Sequence, residues 1–276
     1  MQKLSRPTKQ IVVIISYIVL FSLIGLLIYQ STKPDPTCFD GRKNQDEIGV
    51  DCGGVCGVCP EVPNAKDLSV VETAIVPAGQ GSYKALIVVQ NPNEQYGARD
   101  FLYTVTVRDS AGNIIHTLKS NDFILPKTQK DIIIPRFDAE TTPTQIEVEI
   151  SGAVWEKFTN YTEAPEITIT RQKYEVLANS TQYAKVYGLV NNKSPYDFNT
   201  ITITIVLRGA DGAPLALLKT EQRTMSAGQN RDFTIPVPYA FPGNVISVDT
   251  QAHVDVFNTQ NFINKFLPGG KFQELK

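Results

Sequence analysis

Little in this chain is equipped for chemistry. Its 276 residues include two histidines, one tryptophan, two methionines and four cysteines, and no cysteine follows residue 59. His116 and His253 are the only imidazoles, and both lie in strand-like segments at positions expected to face solvent, which predicts a surface role rather than catalysis or metal binding. No nucleophile-elbow G-x-S-x-G, Walker loop or H-E-x-x-H occurs. Twenty-six basic and 28 acidic residues give a formal net charge of -2, and no basic run follows the first ten residues, so nucleic-acid binding is disfavoured. These absences predict a protein that is not an enzyme. Glu147 and Glu149 share one strand face and can imitate a glycosidase carboxylate pair, although an exposed strand face explains them more simply.

Charge is also missing over one long run. From Ile11 to Tyr29 no charged side chain occurs for nineteen positions. As a helix rising about 1.5 Å per residue this stretch spans roughly 28 Å, close to the thickness of a bilayer core. A cleaved signal peptide has a shorter apolar core and ends in a small-x-small site; here the run ends in Tyr29, Gln30, Ser31 and Thr32. Lys3, Arg6 and Lys9 precede it, whereas Lys33 is followed closely by Asp35. The positive-inside rule therefore predicts a single-pass plasma-membrane anchor over 11–29, with 1–10 cytoplasmic and the remainder outside the cell.

That address bears on the cysteines, Cys38, Cys52, Cys56 and Cys59, all within "CFDGRKNQDEIGVDCGGVCGVCP". The Cys56/Cys59 pair has zinc-like spacing but no matching second pair. A segment of this size buries too little apolar surface to fold unaided, and outside the cytoplasm two disulfides would hold it. Three connectivities are open. Asp40, Asn44, Glu47 and Asp51 supply oxygens between glycines, a pattern that suits calcium and equally suits the turns of a small knot. No other cofactor is expected. The stretch C-x-D-G-x-x-N-x-x-E-x-G-V-D-C-G-G-x-C-x-x-C resembles the short cysteine-rich module of secreted and membrane-anchored prokaryotic surface proteins, which implies a surface location and no particular chemistry.

Beyond Pro60 the chain repeats itself with a period near 100 residues. "FLYTVTVRDSAGN" (101–113) lies over "ITITIVLRGADGA" (201–213), and Asn91 falls on Asn191, Tyr96 on Tyr196 and Arg108 on Arg208. Apolar or β-branched residues alternate with polar ones around 101–109 and 200–208, predicting strands with one buried and one wet face; Ala-Gly-Asn and Asp-Gly-Ala mark hairpin turns. Twelve strands are expected: 68–76, 83–90, 101–109, 114–120, 130–134 and 146–155 in copy one, and 167–177, 182–190, 200–208, 215–223, 231–237 and 245–256 in copy two. The fold class is all-β: two tandem immunoglobulin-like sandwiches, 67–156 and 166–258, without an inter-sheet disulfide, preceded by the membrane helix and the cysteine-rich segment 31–60. The polar linker 156–165 predicts some flexing between them. Copy two, with "YGLVNN" and "MSAGQNRDFTIP", resembles the FxLYD domain of bacterial and archaeal envelope proteins, with Leu207-Arg208-Gly209 in place of the eponymous triplet. Copy one, with "VVQNPN" before "FLYTVTVRDSAG", is similar to the water-stress and hypersensitive-response domain. Both resemblances imply the sandwich fold and no specific ligand.

Two features are candidates for partner contact. The loops "NPNEQYGARD" and "NNKSPYDFN" carry Tyr96 and Tyr196, and loops at a sandwich end commonly bind partners, though the tyrosines can equally plug the sandwich ends. The tail 259–276 carries Phe262 and Phe266, which either pack back on copy two or dock elsewhere. The sequence therefore points to adhesion, scaffolding or assembly in a cell-envelope complex with a protein partner. A glycan-binding or glycan-processing accessory is the alternative.

Overall fold

The computed structural model describes residues 6–32, 54–56, 64–158, 164–178 and 181–266. It divides into two compact units, Met1–Val62 and Pro63–Lys276. In the first, helix α1 runs Arg6–Thr32. Its described side chains from Ile15 to Leu26 are all exposed. Among the described residues no helix is long and apolar enough to cross a membrane; the uncharged run expected to do so, 11–29, extends past the continuously described side chains at both ends. Cys56 closes a 3-10 turn, Gly54–Cys56, and is not a free thiol. Cys38, Cys52 and Cys59, and the proposed calcium ligands Asp40, Asn44, Glu47 and Asp51, lie outside the described residues.

Among the described residues the second unit contains twelve antiparallel strands. Copy one comprises β1 (Ser69–Pro77), β2 (Ser82–Gln90), β3 (Tyr96–Asp109), β4 (Ile114–Ile124), β5 (Gln129–Asp138) and β6 (Pro143–Lys157). Copy two comprises β7 (Ile167–Val176), β8 (Ala184–Asn192), β9 (Phe198–Arg208), β10 (Pro214–Met225), β11 (Asn230–Val237) and β12 (Ser247–Val254). Each copy forms two three-stranded sheets with the same order, β1-β2-β5 and β4-β3-β6 in one, β7-β8-β11 and β10-β9-β12 in the other. The β3–β4 and β9–β10 hairpins turn at Gly112 and Gly212, whose φ of +86° and +79° a residue with a Cβ rarely adopts.

The cores follow from alternation. In copy one Ala85, Ile87 and Val89 face Phe101, Val105 and Val107 between the two sheets. In copy two Val186 and Val190 face Ile201, Ile203, Ile205 and Leu207. A third apolar cluster contains Val76, Leu86 and Val88 together with Val206 and Leu217, backed by Ala74 and Ile133. These are the outward residues of β1-β2-β5 and of β10-β9-β12. The two copies therefore pack sheet on sheet, four layers deep, in the order β4-β3-β6, β1-β2-β5, β10-β9-β12, β7-β8-β11.

This arrangement corrects two expectations. The outward face of β9 is wet only in its first half: Thr200 is exposed and Thr202 half-buried, but Thr204 and Val206 are buried against copy one. Nor do the described residues at the start of the linker form a flexing joint, because Phe158 is buried in the core of copy two. Gly97 makes room for that ring, since a Cβ there would stand 2.7 Å from Phe158 Cε2.

The register of the repeat also shifts. Asn91 corresponds to Asn192, one residue beyond the aligned Asn191, as their hydrogen bonds show. Asn91 Nδ2 donates to the carbonyls of Tyr96 and Leu125, at 2.8 and 2.9 Å, while its Oδ1 accepts from the N–H and Nδ2 of Asn93. Asn192 Nδ2 donates to the carbonyls of Tyr196 and Ser226, at 2.7 and 3.0 Å, and its Oδ1 accepts from the N–H and hydroxyl of Ser194. Each buried amide thus ties two loops at one end of its sandwich. Asn192→Ala removes all four bonds and strands two carbonyls, so it should cost about 2–3 kcal/mol, read as a lower urea midpoint with an unchanged slope.

Candidate functional site: the cleft between the sandwiches

The interface between the copies is apolar at one end and aromatic at the other, with polar cavities between. Beside the apolar stack, Arg208 grips Glu72 with both terminal nitrogens, at 2.7 and 3.0 Å, and reaches Asp249 through Nε at 2.6 Å. Its counterpart Arg108 makes only the contacts within its own copy, to Glu147 and the carbonyl of Gly112. Arg208 repeats these with Asp249 and the carbonyl of Gly212, and spends its remaining donors across the interface. Lys84 Nζ donates to the carbonyl of Leu217 at 2.9 Å, and Gln251 Oε1 accepts from the Asp131 N–H at 3.0 Å.

At the far end, the linker and tail meet in a ring cluster. Phe257 lies edge-on to Phe123 and Phe158, with centroids 6.1 and 5.7 Å apart. Phe262, on the short helix α2 (Gln260–Phe266), packs against Phe158 at 6.1 Å, Tyr196 at 5.3 Å and Phe266 at 4.7 Å. The structure therefore joins Tyr196, Phe262 and Phe266 into one cluster turned inward, with Tyr196 and Phe262 buried. Tyr96 stands apart from them, half-buried at the start of β3.

Two cavities of about 400 and 320 Å³ lie between these ends. Phe123, Lys130 and His253 line both. Lys130 is buried; its ammonium pairs with Asp122, donates to the carbonyl of Phe123 at 2.9 Å and sits 3.4 Å from the Phe123 ring centroid. Burial lowers its pKa, against the pull of Asp122. His253 is half-buried rather than solvent-facing as expected, and its Nε2 is sealed from solvent without a hydrogen-bond partner. Burial, reinforced by Lys130 and Lys219, pushes it down to about 3. Thr204 lines the smaller cavity, and its Oγ1 is likewise buried and unpartnered. Asp131 is pushed up to about 6, first by burial and then by Glu72 and Asp249, against the pull of Arg208. His116 is half-buried, stacked 4.6 Å from the ring of the core residue Phe137.

The two shifts act oppositely on stability. Unfolded His253 takes a proton near its ordinary 6.5 while the folded residue resists until about 3, so its neutral burial stabilises above 6.5 and that contribution is lost as the pH falls. Folded Asp131 holds its proton to about 6 while the unfolded residue releases it near 3.8, so its contribution is complete below 3.8 and is lost as the pH rises through 6. Chemical denaturation from pH 7.5 to 4 should show His253→Gln gaining on the natural protein by about 1.4 kcal/mol per pH unit below 6.5. Asp131→Asn should show the opposite trend, with its advantage appearing as the pH rises towards 6.

Among the described residues no cluster of three or more His, Cys, Asp or Glu side chains is placed to hold a metal. Glu147 and Glu149 lie on β6, away from the cleft, and Glu147 is engaged by Arg108 at 3.3 Å. What sequence reading missed is the cleft itself. Its one legible trace was the unbroken apolar run Ala85–Val89 on β2, which signals burial on both faces.

No family model matches the chain, and no curated protein matches it. Among solved structures it is similar to Bacteroides uniformis beta-glucuronidase 2 covalently bound to cyclophellitol-6-carboxylate aziridine, at 12% identity over 63% of this chain and 24% of that one, with a TM-score of 0.23. It is also similar to a putative beta-galactosidase from Bacteroides fragilis, at 15% identity over 64% of this chain and 33% of that one, with a TM-score of 0.18. The chain thus spans a third or less of the length of these proteins, and likenesses this weak carry no argument about its activity.

Proposed function

We propose that this is a non-catalytic, membrane-anchored protein of the cell exterior that acts in adhesion, scaffolding or assembly of an envelope complex. The observation that carries the reading is the locking of both sandwiches through Arg208, Leu217 and the Phe158–Phe262 ring cluster. A pair of domains so fixed presents its outer surfaces to a protein partner as one rigid body, at no further ordering cost on binding. The exposed apolar side chains from Ile15 to Leu26 suit a helix whose solvent is lipid, and Lys3, Arg6 and Lys9 favour a cytoplasmic amino end. The blocked thiol of Cys56 supports an oxidised segment in which Cys38, Cys52, Cys56 and Cys59 form two disulfides.

The test is topological. A protease site engineered after residue 60 should be cut by protease added to intact cells, and a thiol-alkylating reagent should label none of the four cysteines until a reductant is added. Protection of the site together with four reactive thiols would overturn the proposal.

A further inference from the structure

We propose that the smaller cavity between the sandwiches is a binding site for a small uncharged polyol, about one sugar ring in size. The proposal goes beyond the scaffold reading and does not depend on the membrane anchor. Its volume of about 320 Å³ lies at the lower end of the range for small-molecule sites, which favour domain interfaces. The decisive feature is an unmet polar group: Thr204 is only 2% exposed, yet its hydroxyl lacks any hydrogen-bond partner. His253 lines the same cavity, and its Nε2 is likewise sealed without a partner. A buried donor or acceptor without a partner is costly, and two around one cavity mark where a ligand's own hydroxyls would complete the bonding.

The lining selects the chemistry. Thr200, Thr202, Thr204 and Ser120 offer hydroxyls and Asn121 a carboxamide, groups that both donate and accept. The acids Asp122, Asp131 and Asp255 outnumber the lysines Lys130 and Lys219, which opposes an anion. The ammonium of Lys130 between the cavities and that of Lys219 beside Thr204's strand oppose a bare cation. An apolar ligand would leave the hydroxyls and charges desolvated and unpaired. A neutral molecule with several hydroxyls satisfies the set, and Ile132, Ile133 and Phe123 give its carbon framework an apolar wall.

The experiment titrates the full-length protein with glucose, galactose, N-acetylglucosamine and mannitol by saturation-transfer NMR and calorimetry, with acetate and phosphate as charged comparators. At least one neutral probe should bind saturably and more tightly than either anion. Thr204→Val keeps the shape and removes only a hydroxyl that the fold leaves unpaired, so it should fold with undiminished stability and bind that probe about tenfold more weakly. Absence of saturable binding by every neutral probe, tighter binding of acetate or phosphate, or undiminished binding by Thr204→Val would overturn the proposal and show a cavity that holds only water. The anchored topology is read separately by protease access, so either reading can fail alone.

Discussion

Leu217→Asp should separate the two sandwiches. Leu217 is fully buried between the outer faces of β1-β2-β5 and β10-β9-β12, where its neighbours are the side chains of Val76, Leu86, Val88 and Val206. A carboxylate placed there must ionise in a low-dielectric layer, stay protonated at neutral pH, turn towards the Lys84 ammonium that already meets the Leu217 carbonyl, or force the sheets apart. The expected cost is about 4 kcal/mol, near the upper end for single substitutions. Each sandwich keeps its own core, so the loss should fall on the interface: one cooperative unfolding transition becomes two, and the melting of copy one no longer reports on copy two. Calorimetry of the full-length variant checks this, with Leu217→Met, which keeps volume and polarity, expected to behave like the natural protein within about 1.5 kcal/mol.

Phe262→Ala carries the second large effect. The ring is fully buried and stands against Phe158 from the linker, Tyr196 from copy two and Phe266 from its own helix. Its removal takes away transfer energy and leaves a cavity among rings that cannot all collapse inward, a loss of about 3–5 kcal/mol. The effect should also spread. Phe158 loses a lid, so hydrogen exchange should quicken at the start of β3, where Gly97 admits that ring. Truncation before Thr259 should lower the melting temperature by at least as much. An unchanged melting temperature in both variants would mean that the tail does not pack where these contacts place it.

The strands, hairpins and duplication were legible because they are recorded locally, in period-two alternation and in glycines that mark turns. The stacking of the copies was not, because it depends on residues that look like ordinary polar-face or strand residues until their partners are known. Arg108 and Arg208 look equivalent in sequence, yet only Arg208 has an acid from the other copy, Glu72, within reach. Thr204 reads as a solvent-facing residue of an alternating strand and is buried because another sheet covers it. Asn91 was matched to Asn191 because alignment sees identities, whereas the hydrogen bonds belong to Asn192.

The two outermost sheets carry fewer apolar residues than the two that stack the copies. The interface joins unlike sheets, β1-β2-β5 of one copy to β10-β9-β12 of the other, so each copy leaves the counterpart of its partner's face uncovered, a geometry that in principle continues into a fibre. Those counterparts keep Tyr187 and Leu189 at the positions of Leu86 and Val88 but have lost most of the other apolar residues. Opposite Val206 and Leu217 in the repeat stand Thr106 and Thr117, while Lys173, Glu175 and Thr234 occupy the positions of Ala74, Val76 and Ile133. Lys185 and Glu175 pair at 3.4 Å on that outer face. Charge and hydroxyl at both ends make further stacking unfavourable without weakening either core.

The claim on which the account rests is that the two sandwiches are one rigid body, and residual dipolar couplings test it most directly. Backbone N–H couplings of the full-length protein in a weakly aligning medium should fit a single alignment tensor across 69–157 and 167–254, with the same magnitude and orientation when each copy is fitted alone. Two tensors of different magnitude would show sandwiches that move independently, and a fixed cleft between them could not then exist.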